Sequence, residues 1–251
     1  MSDNQISEKS TRVRFAPSIV AALVLALGIG YGLSLVGMGL SSRAGNAITV
    51  TGSARVEAVA DNAVWTLNVQ ESAPAVADAV KKVESGVTSL SNYLTNGGIP
   101  ISGIEVGAVN TFTNDEYGKG GPTGRVLSYR ANQNVVVRSR DVKLIQSLSN
   151  AIGKLLQTGV NVNNYGPAFY ISNLSNLRPT LLSDAMKDAK VRAEAITKAV
   201  GGSVGPVIAV RSGPIQVTTP DSVDTSSGGY YDTTTIAKTV TATVTVDFKA
   251  S

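Results

Sequence analysis

The chain has 251 residues, a net charge of +4 and 5% aromatic residues, and it contains neither cysteine nor histidine. Without cysteine there is no disulfide framework, thiolate nucleophile, iron–sulfur cluster or thiolate zinc site. Without histidine the usual general base and the commonest metal ligand are missing, which excludes Ser-His-Asp triads and His-based zinc centres, and the weak, unclustered charge argues against a nucleic-acid partner.

From the N-terminus, residues 15–42 hold no charged side chain and follow Lys9, Arg12 and Arg14. The uncharged run 16–40 exceeds the roughly 20 apolar residues that a helix needs to cross a bilayer, and it is longer than the usual signal-peptide core of about 7–15 residues. Only Arg43 follows the span closely, so the basic side should stay inside. The reading is a cytoplasmic N-terminus at 1–14, a transmembrane anchor at 15–42 that contacts the lipid bilayer, and an exported ectodomain at 43–251. The alternative is a cleaved signal peptide, with Ser42-Arg43-Ala44 or Gly45-Asn46-Ala47 as the small-x-small site, leaving a soluble extracytoplasmic protein. Within the span, Gly28 and Gly32 form a GxxxG step suited to close helix packing in lipid.

The ectodomain opens with Ile48, Val50, Ala54 and Val56 alternating with polar residues, the period of a strand with one wet face. Gly52 interrupts its apolar side, where another backbone can approach. After Ala60-Asp61-Asn62, a second alternating strand carries Ala63, Trp65, Leu67 and Val69, and the two together suggest a hairpin. Pro74 then opens a helix with Val76, Val80, Val83, Val87, Leu90 and Leu94 on one face, closed at Asn96-Gly97-Gly98. Ile104, Val106, Ala108 and Phe112 are expected on one side of the next strand. Leu127, Tyr129, Ala131, Val135 and Val137 return in its partner. Asp141 is a natural N-cap for a helix bearing Leu144, Leu148, Ile152 and Leu155, and a strand over 160–171 follows. The order across 63–172 is βαββαβ, the ferredoxin-like arrangement of a four-stranded sheet with both helices on one face.

A long helix over 177–200 follows, with the small-sided stripe Leu182, Ala185, Ala189, Ala193, Ile196 and Val200. Strands come next at 204–210 and at Val240, Ala242, Val244, Val246 and Phe248. The fold class is therefore α+β: an N-terminal transmembrane helix, then a two-layer ectodomain containing the ferredoxin-like unit and a second α+β unit. That second unit is discontinuous, 46–60 plus 175–251, with the first and last strands paired. Polar loops are expected at 114–124 and 212–235, the latter longer than ordinary connections. Tyr230 and Tyr231 are expected at its tip, as interface-type residues.

Chemical motifs are weak. The Gly118–Gly124 stretch looks like a phosphate loop but lacks the following Lys-Ser/Thr pair and helix. Asp184, Asp188 and Glu194 on the long helix are better read as a solvated face, because Asp188–Arg192, Lys190–Glu194 and Glu194–Lys198 are i,i+4 pairs. Thr235 and Lys238 have a nucleophile–amine spacing, but in a strand they would point to opposite faces. Arg138, Arg140 and Lys143 make a small basic cluster of ordinary surface type.

Several segments resemble the SIMPL-domain family of bacterial envelope proteins. They are Ile48-Thr49-Val50-Thr51-Gly52 with Val56 and Ala60-Asp61-Asn62-Ala63; Tyr129-x-Ala131 leading through Val135 and Val137 to Asp141; and Ala185-x-x-Asp188-Ala189-Lys190-x-x-Ala193-Glu194 with Gly201. The similarity spans essentially 48–248, and departs where Pro179 sits early in the long helix. It implies an exported α+β protein of the bacterial inner membrane or periplasm that tends toward ring-like or channel-like homo-oligomers, with no established enzymatic activity and no catalytic residues to carry over. The expected function is a membrane-anchored scaffold whose partner is itself, with no cofactor. Its contact residues would be Tyr230, Tyr231, Thr239, Thr241, Thr243 and Thr245 in the ectodomain, with Gly28 and Gly32 in the membrane. The alternatives are a binding module for an envelope ligand or partner, and an enzyme with an Asp/Glu/Tyr/Lys site.

Overall fold

A computed structural model describes residues 47–222 and 226–250. The anchor at 15–42, the cleavage sites and the Gly28/Gly32 step lie outside the described residues. Among the described residues no helix is long and apolar enough to cross a membrane.

The element order is β1 (Ala47–Val59), β2 (Asn62–Ala73), α1 (Val76–Asn96), β3 (Ile104–Gly118), β4 (Gly121–Ser139), α2 (Val142–Ala151), α3 (Gly153–Leu156), β5 (Val162–Tyr170), α4 (Leu174–Ala199), β6 (Val204–Ser212), β7 (Gln216–Thr218) and β8 (Ala237–Ala250). They build two four-stranded sheets whose strand pairs are all antiparallel. One runs β3-β4-β2-β5; the other runs β1-β8-β6, with β7 also paired to β8.

The first sheet has the strand order and crossovers of a split βαβ unit. Its period-two residues Ala63, Trp65, Leu67 and Val69 are completely buried together with Val83, Leu90 and Leu94 of α1 and Ile145 of α2. Trp65 contributes the largest buried side chain, and its indole N–H donates to Asn164 Oδ1 at 2.8 Å. Asp141 caps α2, accepting the Leu144 N–H at 2.9 Å.

The second sheet is closed by the first and last described strands. β1 and β8 pair without a break from Ala47↔Lys249 to Val59↔Ala237. This corrects the expected β1–β2 hairpin: the chain crosses from one sheet to the other at Ala60-Asp61. Ala60-Asp61, a buried alanine and an aspartate with no turn-forming glycine, does not reverse the chain here.

Helix α4 covers the apolar face of this sheet. Its buried residues are Leu181, Ala185, Ala189, Ala193 and Thr197, whereas Ile196 and Val200, expected inside, are 52% and 81% exposed. The alanine stripe lies directly on Gly52: a Cβ there would stand 2.7 Å from Ala189 Cβ and nearer still to the Ala185 carbonyl and Ala189 nitrogen. Pro179 is tolerated near the start of α4, where only the Ser175 carbonyl loses an intrahelical donor.

Phe112 and Leu127 also depart from expectation. Register shifts between Val106 and Val109 and between Asn114 and Asp115 add single unpaired residues, and a one-residue shift moves every later side chain to the other face. Phe112 therefore pairs with Arg130 and is 49% exposed, and Leu127 is 53% exposed.

Two substitutions test this packing. Trp65→Ala should destabilise the protein by about 3–5 kcal/mol through cavity formation. Gly52→Ala, which adds one methyl against an immovable helix backbone, should cost roughly 1–3 kcal/mol. Urea unfolding measures both, and changes within the surface range of about 0.5 kcal/mol would contradict the assigned strand faces.

Candidate functional site

Three chain segments meet side by side at the junction of the sheets and are stitched together: the two that cross between the sheets, after β1 and after β5, and the one that leads into β8. At the first, the Ala60 N–H donates to the Ile236 carbonyl at 2.8 Å, and the Asp61 N–H to the Tyr170 carbonyl at 3.0 Å. The Asp61 carboxylate accepts the Ser172 N–H at 2.7 Å and the Ser172 hydroxyl at 2.5 Å. Those Ser172 bonds, helped by Arg140, hold the Asp61 carboxyl below the usual carboxylate range. The loop before β8 joins the same junction, where the Phe169 N–H donates to the Thr233 carbonyl.

The long loop ends in a buried ion pair. Lys238, near the start of β8, is completely buried, and its ammonium donates to Asp232 Oδ1 at 2.6 Å and to the Asp232 carbonyl at 2.7 Å. The same carboxylate accepts the Thr234 hydroxyl at 2.8 Å and the Thr235 hydroxyl at 3.1 Å. Burial pushes the Asp232 carboxyl up, but these donors and the Lys238 charge win and hold it at about 2. Thr235 and Lys238 thus meet on one carboxylate, contrary to the opposite-face expectation, because β8 begins only at Ala237 and Thr235 is outside the strand. The arrangement is structural: the amine is ion-paired and sealed, and the hydroxyl also donates to the Ala237 carbonyl.

Tyr231 is held in the same junction. Its hydroxyl accepts the Ile171 N–H at 2.8 Å and its ring lies 5.9 Å from Tyr170. The segment beside it is bound to β7, with Val217 donating to the Tyr230 carbonyl and Asp232 to the Val217 carbonyl. Tyr230 and Tyr231 therefore lie along a strand, not at a loop tip; Tyr230 is 44% exposed. Thr239, Thr241, Thr243 and Thr245 occupy the outer face of the central strand β8, half-buried opposite Glu57, Arg55, Ser53 and Thr51. Thr245 and Thr51 hydroxyls are hydrogen-bonded to each other at 3.0 Å.

The weak motifs resolve plainly. Gly118 pairs with Gly121 at a hairpin tip and β4 follows, so no helix N-terminus faces this glycine-rich turn. Asp188–Arg192 and Lys190–Glu194 form as ion pairs, 2.8 and 3.8 Å apart, but Asp188 also accepts the Ser53 backbone N–H at 2.8 Å. It tethers α4 to the outer edge of β1, and that bond, followed by the Arg192 partner, lowers its pKa. Arg138 reaches Glu105 only at 4.0 Å, on the surface, while Arg140 lies beside Asp61. Among the described residues no group of carboxylates could hold a metal ion.

Sequence reasoning missed the Asp232–Lys238 pair, although Asp232-Thr233-Thr234-Thr235 carries an Asx-turn signal, an aspartate followed by hydroxyl residues. It also missed the reach of β3 and β4. Beyond the sheet they form a long two-stranded arm on which Tyr117, Val126 and Leu127 are exposed, Tyr117 by 75%, while Phe112 lies at its base, opposite Arg130 where β2 still pairs with β4.

The chain belongs to the family described as "SIMPL: Protein of unknown function (DUF541)", whose profile matches residues 48–248. A similar curated protein is "Uncharacterized protein YggE" from Edwardsiella ictaluri (strain 93-146), 29% identical over 202 residues, covering 76% of this chain and 78% of that one. Among solved structures, a methicillin-resistant Staphylococcus aureus protein provisionally described as an aminohydrolase matches with a TM-score of 0.24 and 14% identity, over 56% of this chain and 39% of that one. CutA from Synechococcus elongatus PCC7942 matches with a TM-score of 0.18 and 8% identity, over 52% of this chain and 96% of its own. Likenesses this slight carry no functional argument.

The ion pair makes stability depend on acid. The Asp232 pKa lies below its ordinary value of 3.8, so its contribution of roughly 2 kcal/mol is complete above pH 3.8 and is lost as pH falls to about 2. Asp232→Asn should destabilise the protein by about 3–5 kcal/mol at neutral pH, by leaving Lys238 buried without a counter-charge, and should flatten that acid slope. Adding Lys238→Met should restore most of the loss. Urea titrations at pH 7 and pH 3 measure all three.

Proposed function

We propose that this chain is a membrane-anchored, exported scaffold protein of the bacterial cell envelope that assembles with copies of itself into a closed ring and performs no catalysis. The observation that supports assembly is the β3–β4 arm. Among the described residues the arm beyond Tyr129 has no third strand and no covering helix; such a ribbon is marginally stable in water, and this one leaves Tyr117, Val126 and Leu127 uncovered, with Phe112 exposed at its base. β3 is also an edge strand, whose free backbone groups favour pairing with another chain.

We accordingly assign the contact surface to the arm, with Tyr230 as a second exposed aromatic, in preference to Tyr231, whose hydroxyl is bonded to Ile171, and to the half-buried, polar threonines of β8. An arm of one copy set against a different surface of the next makes a head-to-tail contact, which closes into a ring when the rotation permits. The segment 15–42, read as an anchor with its basic side in the cytoplasm, would gather the subunits on one face of the membrane and raise their local concentration without creating the interface.

Light scattering on residues 44–251 tests the assignment. Association at micromolar concentration is expected. Phe112→Asp with Leu127→Asp should weaken it at least ~10-fold while leaving thermal unfolding of the separated subunit unchanged. A strictly monomeric ectodomain, together with saturable turnover of a small substrate, would reject the scaffold reading and restore the enzymatic one.

A further inference from the structure

The outer face of the second sheet carries a groove of about 610 Å3, within the roughly 300–1,000 Å3 of small-molecule sites. Its floor is formed by Ser53 and Arg55 of β1, Thr241 and Thr243 of β8, and Gln216 and Thr218 of β7. Strand register sets Arg55, Thr241 and Gln216 in one row across three neighbouring strands. At strand spacings of about 4.8 Å, that row spans roughly 10 Å.

The two ends of the row ask for different things. Arg55 is exposed and has no ion pair or hydrogen bond among the described residues; the nearest other guanidinium on this face, Arg211, is already paired with Asp247 at 3.2 Å. Gln216 is 7% exposed. Its Nε2 donates to the Ser226 carbonyl at 2.7 Å, which leaves the buried Oε1 without a donor among the described residues. An acceptor kept from water without a partner is unfavourable, so it calls for a hydroxyl or amide from outside the chain. Between the ends lie the hydroxyls of Thr241 and Thr243, able both to donate and to accept.

We propose that this groove binds a small polyol carrying a single anionic group, such as a uronate or a sugar phosphate. The anion sits on Arg55, and ligand hydroxyls bond to Thr241 and supply the donor that Gln216 Oε1 lacks. Among the described residues the groove offers a single unpaired cation, and with Glu57 in the adjacent row this disfavours polyanions such as nucleic acid. The site lies on the other sheet from the β3–β4 arm, so it stands or falls independently of assembly.

Isothermal titration of the full-length protein in detergent tests this, with sodium glucuronate, glucose 6-phosphate, glucose and sodium acetate as probes. Saturable binding of glucuronate or glucose 6-phosphate is expected, whichever binds identifying the anion, with glucose and acetate at least ~10-fold weaker. Arg55→Gln and Thr241→Val should each weaken that binding, Arg55→Gln by at least ~10-fold, with unchanged melting temperature, while Phe112→Asp with Leu127→Asp should leave it intact. The proposal is overturned if neither anionic probe saturates, or if Arg55→Gln and Thr241→Val bind as the parent does.

Discussion

The structure depends on one long-range pairing: the first described strand lies against the last, in unbroken register from Ala47↔Lys249 to Val59↔Ala237. The chain leaves this sheet at Ala60, returns after β5 to lay α4, β6 and β7 on it, and enters β8 just after Ile236, which a backbone hydrogen bond joins to Ala60. Closing so long a loop carries an entropic cost that rises slowly with length. The β1–β8 ladder and the face buried beneath α4 offset it together. Gly52 sits at the centre of that face, because only a residue without Cβ lets the backbone of α4 come down onto the strand.

The same closure explains the polar groups gathered where the sheets meet. The two crossing segments and the loop before β8 present backbone groups that neither sheet pairs, and unpaired buried groups are costly. Asp61, Asp232 and the Tyr231 hydroxyl take up those donors, and Lys238 neutralises the most deeply buried of the carboxylates. Asp188 plays a matching role at the free edge of β1, binding the Ser53 N–H that no neighbouring strand reaches. The segments that carry the SIMPL resemblance thus meet physically: Gly52 and Ser53 lie against Ala185, Asp188 and Ala189, and Asp61 fastens the crossing at Ser172.

Both candidate interaction surfaces are by-products of this architecture. The hairpin of β3 and β4 outgrows the sheet that supports it, so none of the described residues covers its distal side chains. Among the described residues no helix covers the outer face of the second sheet, and its threonines, Arg55 and Gln216 form a polar groove. One surface is apolar and the other rich in hydroxyls, which suits them to different kinds of contact.

Much was legible in the sequence because it depends on local period and local chemistry. Alternation placed Trp65 and its neighbours in the core, the 3.6 period defined α1, Asp141 marked a cap, and the small residues of α4 and Gly52 announced a close approach. What tertiary structure decided were features that no local pattern encodes. Whether β1 turns back on β2 or crosses to β8 depends on a partner nearly two hundred positions away. The side on which Phe112 and Leu127 emerge depends on bulges that reverse the alternation. The value of a polar side chain likewise depends on what surrounds it: Asp232, Lys238 and Gln216 read as ordinary loop and strand residues until folding removes the water from around them, and only then do their partners, or the lack of one, acquire energetic weight.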